Sequence, residues 1–345
     1  MTTPSGSNSF AIQDTSVPAL STPRDLLVLR ADHYCAASHQ LLRQARRTGR
    51  VEIVVVADTR RRHFHYEGAL HVTFSRETAQ ALGLPVRRDM QWRCGDYAYY
   101  LAASAYPGFR HLWLIETDLR LSFDNLDDFF RHFDGCDADL LTSGLRPADP
   151  QWSWTRHVTA LRPVAYRCFF PLTRVSRDAC THLQVQRRAA PNALANDESF
   201  TATVLVNDGY DCRELDHVVP GLYAEPGFSF DFPVLDRAYE RMPVTGQIYH
   251  PVLRDRPYLK RLRRYHGFRR NRRAAFHEAC KAYGVAPQKV VRLVRSSAMA
   301  LGAAILLAVV VAFEGPKTAE ALMQVVAAAL LLSAGVLALR RQPQI

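Results

Sequence analysis

Glu116 and Asp118, with Thr117 between them, directly follow an apolar run, His111–Ile115. The run is typical of a buried strand, so the two acids fall at its carboxyl end. In open α/β sheets this edge forms the crevice in which ligands bind. Carboxylates there can hold a divalent cation, because Mg²⁺ and similar ions prefer oxygen ligands. The alternative is a polar strand end beside a turn.

A second acidic cluster, Asp197 and Glu198, opens a predicted helix that runs to about Val206. Asn196 is placed to cap this helix, and the two acids then complement its dipole. The same placement would hold a carboxylate beside a cleft, as a general base requires. Both interpretations stay open from the sequence.

Three isolated residues extend the list of candidates. Asp58 closes the second predicted strand, where an acid accepts hydrogen bonds from a ribose or begins a turn. Asp96 begins a predicted helix, 96–106, and either faces a nucleotide or caps the helix. His250 precedes Pro251 and is a candidate metal ligand or a loop residue.

The elements that must position these residues begin with a β-α-β unit. Asp25–Arg30 and Val51–Ala57 are predicted strands around a helix at 33–47, and the second strand has the continuous apolar character of a parallel sheet. A right-handed crossover follows. The sequence has neither G-x-G-x-x-G after the first strand nor a Walker loop, which argues against a dinucleotide oxidoreductase or a P-loop ATPase.

The later part of the domain adds strands at 139–145, 166–172 and 211–215. Between the first two lies a loop that carries Trp152 and Trp154. Loop tryptophans can stack on the apolar face of a sugar ring or form a packing lid. The seven cysteines show no C-x-x-C pair, so neither a zinc site nor a disulfide framework is indicated.

The stretch Asp25–Leu253 resembles glycosyltransferases of the GT-A fold. The resemblance rests on Ile115-Glu116-Thr117-Asp118, on Asn196-Asp197-Glu198 and on His250. It implies a Rossmann-type mixed α/β sheet flanked by helices and a nucleotide-sugar donor whose diphosphate is bound through Mn²⁺ or Mg²⁺. This sequence departs from the D-x-D pattern of the family at one position, because the first acid of its metal motif is Glu116.

The resemblance also implies roles for individual residues. Asp118 is the principal metal ligand, Glu116 a second or water-mediated one and His250 a third. The nucleotide-binding group is Asp58, Asp96 and Glu116. Asp197 or Glu198 is the catalytic base if the reaction inverts the anomeric centre.

The last quarter of the chain has a different character. Up to Leu253 there are 27 Lys and Arg against 29 Asp and Glu, so the net charge of +11 arises after that point. Residues 254–273 hold ten basic residues and one acid, followed by uncharged runs of 18 residues, 296–313, and 19 residues, 321–339. Each run is long enough to cross a bilayer. We expect the two runs to span the membrane rather than to form a soluble helix pair. We expect the basic segment to lie against anionic lipid and to have no nucleic-acid partner.

The predicted organisation is a disordered tail (1–23), a GT-A-like catalytic domain (24–253), a basic juxtamembrane segment (254–295) and a transmembrane hairpin (296–340). The basic flanks place both ends of the hairpin, and the catalytic domain, in the cytoplasm. The predicted function is a membrane-anchored glycosyltransferase that acts on a lipid-linked or polysaccharide acceptor. The alternatives are a non-catalytic membrane protein that binds a nucleotide or a partner, and a nucleotidyltransferase.

Overall fold

The computed structural model describes residues 24–60, 62–190, 195–267, 271–297 and 299, which fall into two units. The first unit comprises residues 24–234 and 241–253, and the second comprises residues 235–240 and those from 254 onward. One boundary lies after Leu253, where the sequence predicted the end of the catalytic domain. The assignment of residues 235–240 to the second unit was not predicted, and the predicted tail (1–23) lies outside the described residues.

The first unit is a mixed α/β structure, and its strands and helices alternate along the chain. Its strands are β1 (Arg24–Ala31), β2 (Val51–Ala57), β3 (Leu70–Thr73), β4 (Phe109–Glu116), β5 (Arg120–Ser122), β6 (Leu140–Pro147), β7 (Tyr166–Ser176), β8 (Cys212–Glu214), β9 (Tyr223–Phe228), β10 (Val234–Leu235, whose second residue belongs to the second unit), β11 (Gln247–His250) and β12 (Val252–Leu253). Its helices are α1 (Ala36–Arg47), α2 (Arg76–Ala81), α3 (Met90–Arg93), α4 (Tyr97–Ala105), α5 (Leu126–Arg131), α6 (Thr155–Val158), α7 (Arg177–Ala189), α8 (Asp197–Asn207) and α9 (Leu215–Val218).

Seven strands form the main sheet in the order β3-β2-β1-β4-β7-β6-β8. β1 pairs in parallel with both β2 and β4, whereas β7 runs antiparallel to β4 and β6. The prediction of a mixed sheet flanked by helices is confirmed. The order of the strands reverses between β1 and β4, and ligands bind at such switch points, outside the carboxyl ends of the strands.

The central strands are apolar throughout because both faces of the sheet are covered. Val28 and Leu114 point to one face and pack with α4, α7 and α8. Leu29 and Trp113 point to the other face and pack with α1 and α5. Full burial of each such side chain contributes roughly 1.5–3 kcal/mol to folding. This packing fixes the ends of β1 and β4, from which the candidate site is built.

A small second sheet, in the order β5-β11-β9, brings the end of the domain back to β4. β5 follows β4 after a short turn, and β11 pairs antiparallel with it, so that Tyr249 lies opposite Arg120. This register places His250 beside the turn that contains Asp118. A backbone hydrogen bond of 2.8 Å from Val252 N–H to the Asp118 carbonyl fixes the arrangement.

The second unit is helical where it is described. It contains α10 (Asp236–Tyr239), α11 (Asp255–Tyr265), α12 (Arg272–Ala282) and a helical stretch at 287–297. Within the described part of the chain, no helix is both long and apolar enough to cross a membrane. Apart from residues 296, 297 and 299, the two predicted spans, 296–313 and 321–339, lie outside the described residues.

Candidate active site at the carboxyl edge of the sheet

The candidate site lies where β1 and β4 end side by side. Arg30 of β1 is in register with Glu116 of β4, so both side chains emerge at the switch point of the sheet. Asp118 follows within the same turn, and α8 begins nearby with Asp197. The structure thus brings together five of the residues proposed from the sequence, which are Glu116, Asp118, Asp197, Glu198 and His250.

Three of these residues form a cluster that can hold a cation. Glu116, Asp118 and His250 each offer one ligand atom, and these atoms lie within 4.8 Å of one another. His250 Nε2 is 3.4 Å from Asp118 Oδ1. The imidazole is buried, whereas the Asp118 side chain remains one-quarter exposed. An ion bound here would therefore be held by the protein on one side and open to a ligand on the other.

The hydrogen bonds of His250 show that its free nitrogen is suited to a cation. Nδ1 lies 3.1 Å from the carbonyl oxygen of Ser229, which can only accept, so Nδ1 carries the hydrogen. In the neutral ring, Nε2 then presents a lone pair to the Asp118 carboxylate, and two acceptors face each other. A proton or a metal ion between them removes this conflict. A carbonyl partner on the second nitrogen is also the usual support of a metal-bound histidine.

The titration behaviour of the pair agrees with this arrangement. Burial alone would lower the pKa of His250, but the carboxylates of Asp118 and Glu116 raise it above its ordinary value. Burial would likewise raise the pKa of Asp118, but the His250 charge holds it below the usual range. The site therefore favours a positive charge between the two side chains.

Arg30 connects the cation cluster to the start of α8. Its Nη2 lies 2.7 Å from Glu116 Oε1, and its Nη1 lies 3.1 Å from Asp197 Oδ2. Gly95 closes the other side, since its N–H donates to Asp197 Oδ2 at 3.0 Å. A Cβ at position 95 would lie 1.6 Å from Arg30 Nη1. Only glycine fits there without displacing the guanidinium.

Asp197 and Glu198 differ in what their carboxylates can do. Asn196 caps α8 by accepting from Ser199 N–H at 3.1 Å, so the cap predicted from the sequence is confirmed. Both oxygens of Asp197 are engaged, Oδ1 by Glu198 N–H at 2.9 Å and Oδ2 by Arg30 and Gly95. In the described part of the chain, Glu198 receives one side-chain hydrogen bond, from Asn196 Nδ2 at 3.4 Å. Glu198 is the freer of the two carboxylates.

The environment of Glu198 also suits proton transfer. Burial and the negative charges of Asp197 and Glu116 raise its pKa to about 8, although the Arg167 charge opposes the rise. Burial raises the pKa of Asp197 as well, against the charge of Arg30. A carboxyl with a pKa near the working pH can both take up and release a proton.

Asp96 lies beneath the site, contrary to the expectation that it faces a nucleotide. Its side chain is fully buried, and both carboxylate oxygens accept from Arg187 at 2.8 Å. The Tyr100 hydroxyl donates to one of the same oxygens. The carboxylate has no exposed atom to offer a ligand, so its role is structural. It does not cap α4 through its side chain either.

Asp58 lies just beyond the end of β2, where the sequence placed it. Its carboxylate forms an ion pair with Arg60 at 2.6 Å and accepts from the Arg60 N–H at 3.2 Å. These contacts match the turn interpretation of Asp58. Its predicted contact with a ribose stays a prediction.

Arg30, Gly95 and Arg187 are parts of the site that were not predicted from the sequence. A signal existed for Arg30, because a cation follows four apolar residues in β1 just as acids follow the apolar run of β4. Gly95 and Arg187 gave no such signal, since their importance comes from partners 102 and 91 residues away.

No protein-family model and no curated protein matches the sequence. Among solved structures, the core-mannan synthase A of Aspergillus fumigatus in its Mn/GDP form matches 58% of this chain and 74% of its own, with 9% identity and a TM-score of 0.33. A glycosyltransferase involved in the glycosylation of the major capsid of PBCV-1 matches 50% of this chain and 69% of its own, with 11% identity and a TM-score of 0.29.

The glucosyl-3-phosphoglycerate synthase of Mycobacterium tuberculosis, solved with phosphoglyceric acid, matches 46% of this chain and 58% of its own, with 18% identity and a TM-score of 0.27. All three of these solved proteins are named as enzymes of sugar transfer or synthesis. Similarities of this size do not carry a functional assignment, so the assignment depends on the geometry of the site.

Proposed function

We propose that the first unit is a glycosyltransferase of the GT-A type that takes a sugar from a nucleotide-sugar donor with the help of a divalent cation. One observation carries the proposal. Two clusters of acidic side chains lie close together at the switch point of the sheet. The cluster Glu116, Asp118 and His250 stands on one side of Arg30, and the start of α8 stands on the other. The cation cluster suits a charged leaving group, and the start of α8 suits an acceptor hydroxyl.

Asp118 and His250 would hold the cation, with Glu116 contributing the oxygen that Arg30 does not bind. When bound, Mn²⁺ or Mg²⁺ would neutralise the diphosphate and stabilise it as a leaving group. The imidazole ligand favours Mn²⁺, because nitrogen is a poor ligand for Mg²⁺. The fit of the site to a cation is supported by the lone pair of His250 Nε2, which faces the Asp118 carboxylate.

Glu198 would act as the general base in an inverting reaction. Its carboxylate would take the proton of the acceptor hydroxyl, and its raised pKa supports this role. Asp197 would be a positioning residue, because its oxygens are already held by Arg30 and by two backbone N–H groups. Arg30 would keep Glu116 and Asp197 in place and would offset their negative charges.

The C-terminal part of the chain would anchor the enzyme to the cytoplasmic membrane. This part of the proposal is supported by the hydropathy of residues 296–313 and 321–339 and by the basic residues before them. The catalytic domain would face the cytoplasm, and the acceptor would be a lipid-linked or surface polysaccharide. Recovery of the full-length protein in the soluble fraction after a carbonate wash would contradict the anchor.

The function is tested on the purified full-length protein with UDP, GDP and their sugar conjugates. We expect nucleotide binding that depends on Mn²⁺ or Mg²⁺ and slow hydrolysis of at least one nucleotide sugar. Metal-independent nucleotide binding without hydrolysis would indicate the non-catalytic alternative. Release of pyrophosphate from a nucleoside triphosphate and a sugar phosphate would indicate a nucleotidyltransferase.

A further inference from the structure

Two arginines lie directly opposite each other at the outer end of the main sheet. Arg146 of β6 pairs with Arg167 of β7 in the antiparallel register. Residues paired in this way project from the same face of the sheet, and like charges in such a pair destabilise it. A negative charge near the two guanidinium groups would offset this repulsion.

The described residues supply no such charge by direct contact. Neither guanidinium has a hydrogen bond or an ion pair to a carboxylate in this part of the chain, and Arg167 Nε is buried without a hydrogen-bond partner. Other arginines of the same unit are paired, as Arg162 is with Asp208. An unpaired arginine beside a second one is what an anion-binding site requires.

The pair lies beside the proposed active site. Phe169, two residues along β7 from Arg167 and on the same face, has its ring 5.1 Å from that of His250. The next residue after Arg167, Cys168, donates its thiol hydrogen to the Glu198 carbonyl at 3.3 Å. The Arg167 side chain itself acts on the Glu198 carboxylate, since its charge opposes the rise of the Glu198 pKa. A molecule whose hydroxyl group approaches Glu198 therefore comes near Arg167.

Trp152 completes the arrangement. The Arg167 guanidinium lies over the Trp152 ring, 4.8 Å from its centroid, and this contact orients the plane of the guanidinium. The indole is only partly buried. It offers an apolar surface next to the two cations, as a sugar ring that carries an anionic group would need.

We infer that Arg146 and Arg167, with Trp152, bind a phosphate group carried by the acceptor saccharide. This inference rests on the proposed function, since it identifies the substrate class of the same site. Two guanidinium groups match a phosphate monoester, which carries about −1.5 to −2 charges near neutral pH. The acceptor is then a phosphorylated sugar, which carries a monoester, or a sugar linked to lipid through phosphate, which is a diester with one negative charge. Both present an anionic phosphate next to a sugar ring.

The site is tested by binding rather than by turnover. The full-length protein is titrated with glucose 1-phosphate, a polyprenyl-phosphate-linked glucose in detergent, glucuronic acid and glucose, and tryptophan fluorescence is the readout. EDTA is present throughout, so that the cation cluster contributes nothing. We expect the two phosphates to bind, the better binder of the two revealing the source, and glucose not to bind.

Arg146→Gln and Arg167→Gln should each weaken phosphate binding at least about tenfold. The matched control is Arg177→Gln, an exposed arginine at the other end of β7, which should leave binding unchanged. Arg146→Gln should keep the melting temperature or raise it, because it relieves a like-charge contact. Arg167→Gln should stay folded, since the loss of its contact with Trp152 offsets the same gain. Unchanged binding in Arg167→Gln, or equal binding of glucuronic acid, would overturn the inference.

The outcome separates this inference from the proposed function. If phosphate binds as expected and no nucleotide sugar is turned over, the anion site stands and the transferase proposal falls. If a donor is turned over, Arg167→Gln should raise the KM of a phosphorylated acceptor more than the KM of the same acceptor without its phosphate. An unchanged acceptor KM would refute the site while the transferase remained.

Discussion

Arg187 and Asp96 form a buried ion pair in which the guanidinium donates two parallel hydrogen bonds of 2.8 Å to the carboxylate. The guanidinium also lies 3.6 Å from the centroid of the Phe200 ring. The pair thus connects α7, α8 and the start of α4 beneath the candidate site. Loss of one partner leaves the other charge buried and uncompensated.

We therefore expect Asp96→Asn to lower the free energy of unfolding by roughly 3–5 kcal/mol. Urea unfolding of the purified protein measures the change. The control is Asp211→Asn, which removes the exposed partner of Arg213 and should cost less than about 1 kcal/mol. Similar decreases in the free energy of unfolding of the two variants would show that the buried ion pair stabilises the protein no more than the exposed one.

Asp118→Asn should abolish binding of Mn²⁺ and metal-dependent turnover of the donor. The carboxylate contacts the buried His250, so its loss should lower the free energy of unfolding by roughly 0.5–1.5 kcal/mol, and the domain should stay folded. Binding is measured by the loss of the free Mn²⁺ electron-spin signal. Asp124→Asn, an exposed acid after β5, is the control and should bind Mn²⁺ normally. Full activity in Asp118→Asn would exclude the metal role.

Gly95→Ala should separate activity from stability. The added methyl group would collide with the Arg30 guanidinium and with the Asp197 carboxylate, which are both ends of side chains, so the fold can adjust while the contact between Arg30 and Asp197 is lost. A displacement of this kind can reduce the rate by about 10²-fold. Gly108→Ala, where the added group meets open space, should retain full activity. A fully active Gly95→Ala enzyme would show that the contact between Arg30 and Asp197 does not position the site.

Glu198→Gln should change how stability depends on pH. Because the folded-state pKa of Glu198 is about 8, above that of a free carboxyl, folding favours the protonated form. The wild-type protein then loses stability as the pH rises from about 4.5 to about 8, and the glutamine variant avoids this loss. Melting temperatures in EDTA at pH 5 and pH 9 should therefore differ less in the variant.

The same substitution tests the role of Glu198 as a base. Removal of a general base lowers the rate of transfer by roughly 10²–10⁴-fold, whereas donor binding needs no base. Glu198→Gln should thus bind the nucleotide and Mn²⁺ like the wild-type protein. Wild-type transfer rates in this variant would point to a retaining reaction or to another base.

The sequence predicted those parts of the fold that have local causes. The strands near β1, β2 and β4 were found because continuous apolar runs are buried on both faces of a parallel sheet. The cap of α8 was found because Asn196 can accept from a backbone N–H three residues ahead. The position of Glu116 and Asp118 at the carboxyl edge of the sheet followed from the direction of one strand.

Long-range relations were beyond the sequence patterns. The apolar pattern of β7 does not reveal that the strand runs antiparallel to β4, because strand direction depends on the connections. The small sheet of β5, β11 and β9 was missed for the same reason. The role of Asp96 was predicted wrongly because its partner Arg187 lies on another helix. The sequence pattern of an acid at the start of a helix is the same whether the side chain is exposed or buried.

His250 comes late in the sequence, so the cation cluster is completed only after the main sheet has been synthesised. All strands of the main sheet precede residue 215, yet the nitrogen that faces Asp118 comes from the end of β11. A ribosome-bound chain that stops at Tyr249 would contain every main-sheet strand but lack this ligand. Tight binding of the ion would thus be possible only after the whole domain has been synthesised. The bound ion would then stabilise the folded domain, and the gain in free energy of unfolding would grow with the logarithm of the free ion concentration.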